Sequence, residues 1–161
     1  MNTVYLASPL GFSEVGRAFM YSTLIPAIKR AGVAKVEDPW VLTPQGEIDE
    51  VMNLPYGEER RAAWESLNGL IASRNVEAIK RSDALIAVLD GVDVDSGTAA
   101  EVGFAFGLGH LILGYRGDFR LAGDNEGAVV NLQVEHFINE SGGSIVSSME
   151  ALVSTISSKT D

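Results

Sequence analysis

The chain has no cysteine, so disulfides and thiolate metal sites are closed to it, and it fits a reducing compartment. Basic residues are scarce, with 12 Lys and Arg against 22 Asp and Glu for a net charge of -10. A surface of that sign does not wrap a polyphosphate backbone, so no nucleic acid is expected as a partner, while small uncharged ligands are left open. No apolar run approaches the roughly 20 residues needed to span a bilayer, so no membrane association is expected. The only two histidines, His110 and His136, have no ligand spacing, and no metal is expected. The opening Met1-Asn2-Thr3-Val4-Tyr5-Leu6 has no basic run and passes directly into β-forming residues. No secretion signal is read there, and a cytoplasmic location is expected.

What is present describes a folded protein. Hydrophobic residues make up 46% and charged residues 21% of 161 positions, proportions of a globular chain. One domain over 1–161 is expected, long enough to bury about two-thirds of its unfolded surface. Thr3 to Ala7 reads as a first strand, and Ser8-Pro9-Leu10-Gly11-Phe12 as a turn. Ser13 is a candidate N-cap for a helix running to about Ala31, ended by Gly32 and kinked or divided by Pro26. Val33 to Val36 reads as a second strand. The stretch from Glu37 to Glu59, with Pro39, Pro44 and Pro55, reads as a long loop with at most one helical turn. Arg60 to Arg81 has helical periodicity, with Trp64, Leu67, Leu70, Ile71, Val76 and Ile79 on one broad face. Ala84 to Leu89 is a third strand, Thr98 to Gly109 a helix, Leu111 to Tyr115 a fourth strand, Arg116 to Val130 a polar loop and Ser148 to Ser157 a final helix. Strand and helix alternate throughout. That pattern predicts a single-domain α/β fold, doubly wound and Rossmann/flavodoxin-like, with a mostly parallel sheet and helices on both faces.

Chemistry concentrates in Asp90-Gly91-Val92-Asp93-Val94-Asp95-Ser96-Gly97-Thr98-Ala99-Ala100-Glu101. This run lies between the carboxyl end of the third strand and the first turn of a helix, where open α/β sheets bind ligands. Crowded carboxylates disfavour one another's ionisation, so a chain that gathers them has a use for them. Glu101 has two readings: a capping box folded back on Thr98, or a carboxylate nucleophile held ionised by the helix N-terminus. Gly97 would let a ligand approach the backbone, and Gly103, Ala105, Gly107 and Gly109 would seat the helix tightly on the sheet. Asp95, six residues before Glu101, reads either as an N-cap or Asx-turn residue or as a second carboxylate in the same pocket. Asp90 and Asp93 read as turn residues. Two nearby carboxylates suit glycosyl transfer with retention, one as nucleophile and the other managing protons.

The segment Asp95 to Gly103, following Ser82 to Leu89, resembles the signature of the nucleoside 2-deoxyribosyltransferases. Val4-Tyr5-Leu6-Ala7-Ser8-Pro9 resembles that family's first strand and loop, Arg74 to Lys80 its middle helix, and Asp124-Asn125-Glu126 with Asn131-Leu132 its late segment. The resemblance implies that Glu101 attacks C1′ of a 2′-deoxynucleoside to form a deoxyribosyl-enzyme resolved by a free nucleobase, with no cofactor. It implies that Asp95 transfers a proton or contacts sugar or base, and that Tyr5 orients Glu101. Ser8, Phe12, Asn75, Gly97 and Asn131 are the expected substrate contacts. Asn131 is expected to reach a neighbouring subunit's site, in a homo-oligomer built on dimers, a tetramer or hexamer among its forms. Two positions depart from the family pattern. Asn75 stands where many members carry aspartate, which bears on acid/base chemistry and on purine-versus-pyrimidine choice, and Gln133 stands where many carry methionine.

Two rivals stay open. Gly97-Thr98-Ala99-Ala100-Glu101 also resembles the G-T-x-x-E of hydrolases that release bases from nucleoside monophosphates. Those carry a P-G-G run ahead of it, where this chain has Asp93-Val94-Asp95-Ser96, and an aspartate there would repel a 5′-phosphate. Arg74, Arg81 and Arg116 would serve a phosphate only if they faced the cleft and are read as solvated. A non-catalytic nucleotide-sensing module is the other rival.

Overall fold

A computed structural model describes residues 1–160. Five strands, β1 (Thr3–Ala7), β2 (Lys35–Glu37), β3 (Ala84–Val88), β4 (Leu111–Tyr115) and β5 (Ile145–Val146), form one sheet in the order β2-β1-β3-β4-β5. Every pairing is parallel. This order reverses direction between β1 and β3, and ligands of such sheets bind at that switch point, outside the carboxyl ends of the strands.

Strand alternation divides the core in two. Val4 and Leu6 of β1 with Ala84, Ile86 and Val88 of β3 face Met20, Leu24, Ile28, Leu152 and Ile156. Tyr5 and Ala7 with Leu85, Ala87 and Leu89 face Ala78, Ile79, Val102, Ala105, Val134 and Ile138. The first group of helices is α1 (Glu14–Phe19), α2 (Ile25–Arg30) and α8 (Met149–Thr160); the second is α5 (Glu58–Lys80), α6 (Ser96–Gly107) and α7 (Leu132–Glu140). β3 is buried along its whole length, as a central parallel strand covered on both faces must be.

Ser13 caps α1 by accepting from Gly16 N at 2.9 Å. The helix is divided just ahead of Pro26, as expected. A π-helical stretch, Met20–Leu24, joins α1 to α2, with Ile25 N–H donating to Met20 O five residues back. The wider turn lies just ahead of the ring that removes a donor. Gly32, at φ +108, follows where the helix ends.

Several expectations are corrected. β2 begins two residues later than Val33. The presumed loop from Glu37 to Glu59 contains α3 (Pro39–Leu42) and α4 (Gln45–Met52). Their prolines start the helices, Pro39 in the first turn behind the Asp38 cap and Pro44 at the cap of α4, where a missing N–H has no consequence. On α5 only Leu67, Ala78 and Ile79 are buried, and Leu70 is half-exposed, so the broad apolar face is covered only in part. Asn131-Leu132 opens α7, and two-residue β5 follows it before α8. Gly107 and Gly109 face open space and Gly103 faces Phe137, so Val102 and Ala105, not the glycines, seat α6 on the sheet.

Candidate active site

A cleft of about 410 Å³ opens at the switch point. Its walls are Ser8 and Phe12 after β1, Pro39 and Trp40 of α3, Asn68, Ile71 and Asn75 of α5, and Asp95, Gly97, Thr98 and Glu101 at the start of α6. Seven of those positions lie outside the acidic loop, on three further chain segments that the fold brings to it. Positions 68, 71 and 75 recur at helical spacing and present one face of α5 to the cleft.

Glu101 is not in a capping box. α6 starts at Ser96, and Asp95 is its cap: Asp95 Oδ2 accepts from Thr98 N at 3.0 Å and from Thr98 Oγ1 at 3.3 Å. Thr98 is thereby a first-turn residue, and Glu101 stands on the second turn. The helix dipole weakens beyond the first turn, so it does not hold Glu101 ionised. Instead Tyr5 Oη donates to Glu101 Oε1 at 2.5 Å, across 96 residues of chain. Oε2 is left without a partner among the described residues.

Burial pushes the Glu101 carboxyl up to about 7, helped by the neighbouring Asp95 charge and opposed by the Tyr5 hydrogen bond. Tyr5 is wholly buried. That burial, then the Glu101 charge and hydrogen bond, and last the charge of Asp38 hold its phenol protonated far beyond the ordinary tyrosine range. The pair is a short charge-assisted bond with an obligate donor on one side. Asp95 Oδ1 has no hydrogen bond among the described residues, and Asp95 also lines the cleft.

Asn75 lines the cleft with its Oδ1 buried and unpaired. Ser8, buried at the end of β1, caps the short turn after it by accepting from Leu10 N at 3.1 Å. Phe12 meets Trp40 edge-on at 4.6 Å between centroids. Asn131 does not line its own chain's cleft; its Oδ1 caps α7 through Gln133 N at 3.0 Å and Val134 N at 3.4 Å. Asp93 and Asp90 serve the backbone, the first accepting from Val94 N and the second from Asp118 N.

No lysine or arginine lines the cleft. Arg74 is bound to Glu47 and Arg81 to Glu37. Arg116, expected to be solvated, is buried and donates to the carbonyls of Leu89, Gly91 and Arg120, tying together the loops that follow β3 and β4. Among the described residues no cluster of His, Cys, Asp and Glu is arranged to hold a metal.

Trp40, Pro39, Asn68 and Ile71 line the cleft but are not among the site residues expected from the sequence. The signal for the first two was Asp38-Pro39, an N-cap followed by a first-turn proline; the other two share the helical face of Asn75.

Comparison with known proteins agrees with this architecture. The nucleoside 2-deoxyribosyltransferase family model matches residues 4–133, and the chain belongs to that family. Among solved structures, a conserved protein from Enterococcus faecalis V583 superposes with a TM-score of 0.70 at 24% identity, covering 99% of both chains. A 2-desoxiribosyltransferase from Leishmania mexicana gives 0.66 at 23% identity over 98% of each. A CMP N-glycosidase from Clostridium botulinum gives 0.55 at 16% identity, over 95% of this chain and 96% of that one. At these identities the likeness shows a shared fold. No curated protein sequence matches significantly. Among the described residues no helix is long and apolar enough to cross a membrane.

Proposed function

We propose that the chain, acting as one domain, transfers a 2-deoxyribosyl group between nucleobases through a covalent bond to Glu101. The observation that carries this reading is the Tyr5–Glu101 hydrogen bond of 2.5 Å at the wall of a cleft that also holds Asp95. Tyr5 fixes one carboxylate oxygen and leaves the other to attack C1′ as the bond to the base breaks. Asp95, through its free oxygen, supplies the departing base with a proton or holds the sugar. A second base then attacks C1′ and releases Glu101. Two displacements at one carbon retain its configuration.

A neutral substrate suits a cleft with two carboxyl groups and no cation. The hydrolase reading requires a phosphate cradle, and the three arginines it would draw on are engaged elsewhere. In this reading Ser8, Phe12, Asn75 and Gly97 contact the substrate. Asn131, capping a helix outside its own cleft, serves a neighbouring subunit's site in a homo-oligomer. The enzyme would work in nucleotide salvage in the cytoplasm.

Incubation with deoxyinosine and free adenine tests it. We expect deoxyadenosine and hypoxanthine in equal amounts. Hypoxanthine with free deoxyribose and no deoxyadenosine would establish hydrolysis instead, and neither product would leave a binding module.

A further inference from the structure

We propose that Asp38 is a positioning residue that sets the aromatic wall of the cleft, with Tyr21 as its latch. The inference rests on the reading above for its kinetic consequences, though not for its structural ones.

Asp38 follows β2 and is only 4% exposed. Its neighbour Glu37 is bound by Lys35 and Arg81, but Asp38 has no ion pair among the described residues. A buried carboxylate without a cation has to be held by hydrogen-bond donors. Asp38 has two, one from each of two separate segments. Its Oδ1 accepts from Trp40 N at 3.0 Å, which caps α3. Its Oδ2 accepts from Tyr21 Oη at 2.9 Å, and Tyr21 belongs to the π-helical stretch between α1 and α2.

What these bonds fix is the indole of Trp40. With α3 started at Asp38, Trp40 Nε1 donates to Ser8 O at 3.1 Å, and the ring covers Gly11. A Cβ on Gly11 would stand 2.0 Å from the Trp40 ring, so the backbone after β1 and the indole are in direct contact. Phe12 closes the edge. Trp40, Pro39, Phe12 and Ser8 are one side of the cleft. α3 is a four-residue helix with little stability of its own. Its place therefore depends on the cap, and the cap on Tyr21. The π turn gains a role here, since it presents the Tyr21 hydroxyl beside the end of β2.

The test reads Trp40 directly. The chain has two tryptophans, so Trp64→Phe leaves Trp40 as the only one. In that background we expect Asp38→Ala to shift Trp40 emission to the red and raise its acrylamide quenching at least twofold. Asp38→Asn, which keeps a cap and a partner for the Tyr21 hydroxyl, should recover most of the parent signal. Tyr21→Phe, at a half-exposed position where folding is not at risk, should move the signal part of the way. With deoxyinosine and adenine, Asp38→Ala should raise KM about tenfold while kcat falls less than threefold. Titration of the Trp64→Phe protein with free adenine should quench Trp40, and more weakly after Asp38→Ala. An unshifted Trp40 signal in both Asp38→Ala and Tyr21→Phe would overturn the proposal, as would a fall in kcat with KM unchanged. If Trp40 shifts as expected but no substrate turns over, the positioning role stands and the transferase reading fails.

Discussion

Two glutamates meet the same strand residue and end in opposite states. Glu37 is paired with Tyr5 in the backbone register of β2 and β1; Glu101 is paired with Tyr5 through the phenol. Glu37 is almost fully buried but is held by the Arg81 guanidinium and the Lys35 ammonium, and despite its burial its carboxyl lies at about 2. Glu101 has no cation, only a phenol and a second carboxylate nearby, and lies at about 7. Burial is common to both, so the counter-charge decides the outcome. One glutamate is a structural ion pair at the edge of the sheet. The other has its carboxyl pushed up to about 7 at the wall of a cleft, a state that costs stability and suits chemistry.

The strongest way to break the contrast is to remove Glu101, the nucleophile of the proposed reaction. Glu101→Gln should lower base exchange by roughly three to six orders of magnitude, followed by chromatography of deoxyinosine and adenine, whereas Glu37→Gln should leave exchange within about tenfold. Next is the partner that the two share. Tyr5→Phe should cut kcat by roughly ten- to a hundredfold. It also removes a bond that favours ionised Glu101, so the acidic limb of the pH–rate profile should move above about 7. Asp95→Asn removes a like charge, and that limb should move below 7. Movement of that limb in the same direction in both variants would contradict this electrostatic account.

Stability should separate the glutamates in the opposite sense to activity. The folded pKa of Glu101 is raised, so stability is lost as pH rises from about 4.5 through 7. Glu101→Gln should therefore stabilise the protein by about 1–3 kcal/mol at pH 8 and by much less at pH 4. The folded pKa of Glu37 is depressed, so its contribution is present above about 4.5 and fades as pH falls through 2. Glu37→Gln should destabilise by about 1–3 kcal/mol at pH 7, discounted for the solvent around its partners. Thermal melts across pH measure both, at about 2–4 °C per kcal/mol for a chain of this length. The smallest effect is expected for Lys35→Ala, below about 1 kcal/mol, because that ammonium is 61% exposed and Arg81 remains.

Much of this was legible in the sequence, where local signals were strong. The apolar runs of β1, β3 and β4, the Ser13 cap and the strand–helix alternation sufficed for the sheet. The family resemblance named Tyr5 as the group that orients Glu101, and the structure brings the two into contact. What stayed hidden had competing local meanings. Prolines that start α3 and α4 look like loop markers unless the residue before them is read as a cap. Two-residue β5 carries no periodicity. Glu101 fitted a capping box until Asp95 proved to be the cap, a difference of two residues in where the helix begins. Trp40 reaches the cleft only through contacts with Ser8 and Gly11, some 30 residues back, which no window along the chain can see.

The 96-residue separation between Tyr5 and Glu101 also bears on the birth of the molecule. β1 is made before β2, the long α5 and β3, and Glu101 follows only after all of them. β1 cannot pair with β3 before that point either, and the buried phenol has no settled environment until it does. The raised carboxyl of Glu101, the nucleophile of the proposed reaction, is therefore set only once the central strands have come together. A nascent or partly opened chain, which exposes Glu101 to water, holds an ordinary surface carboxylate.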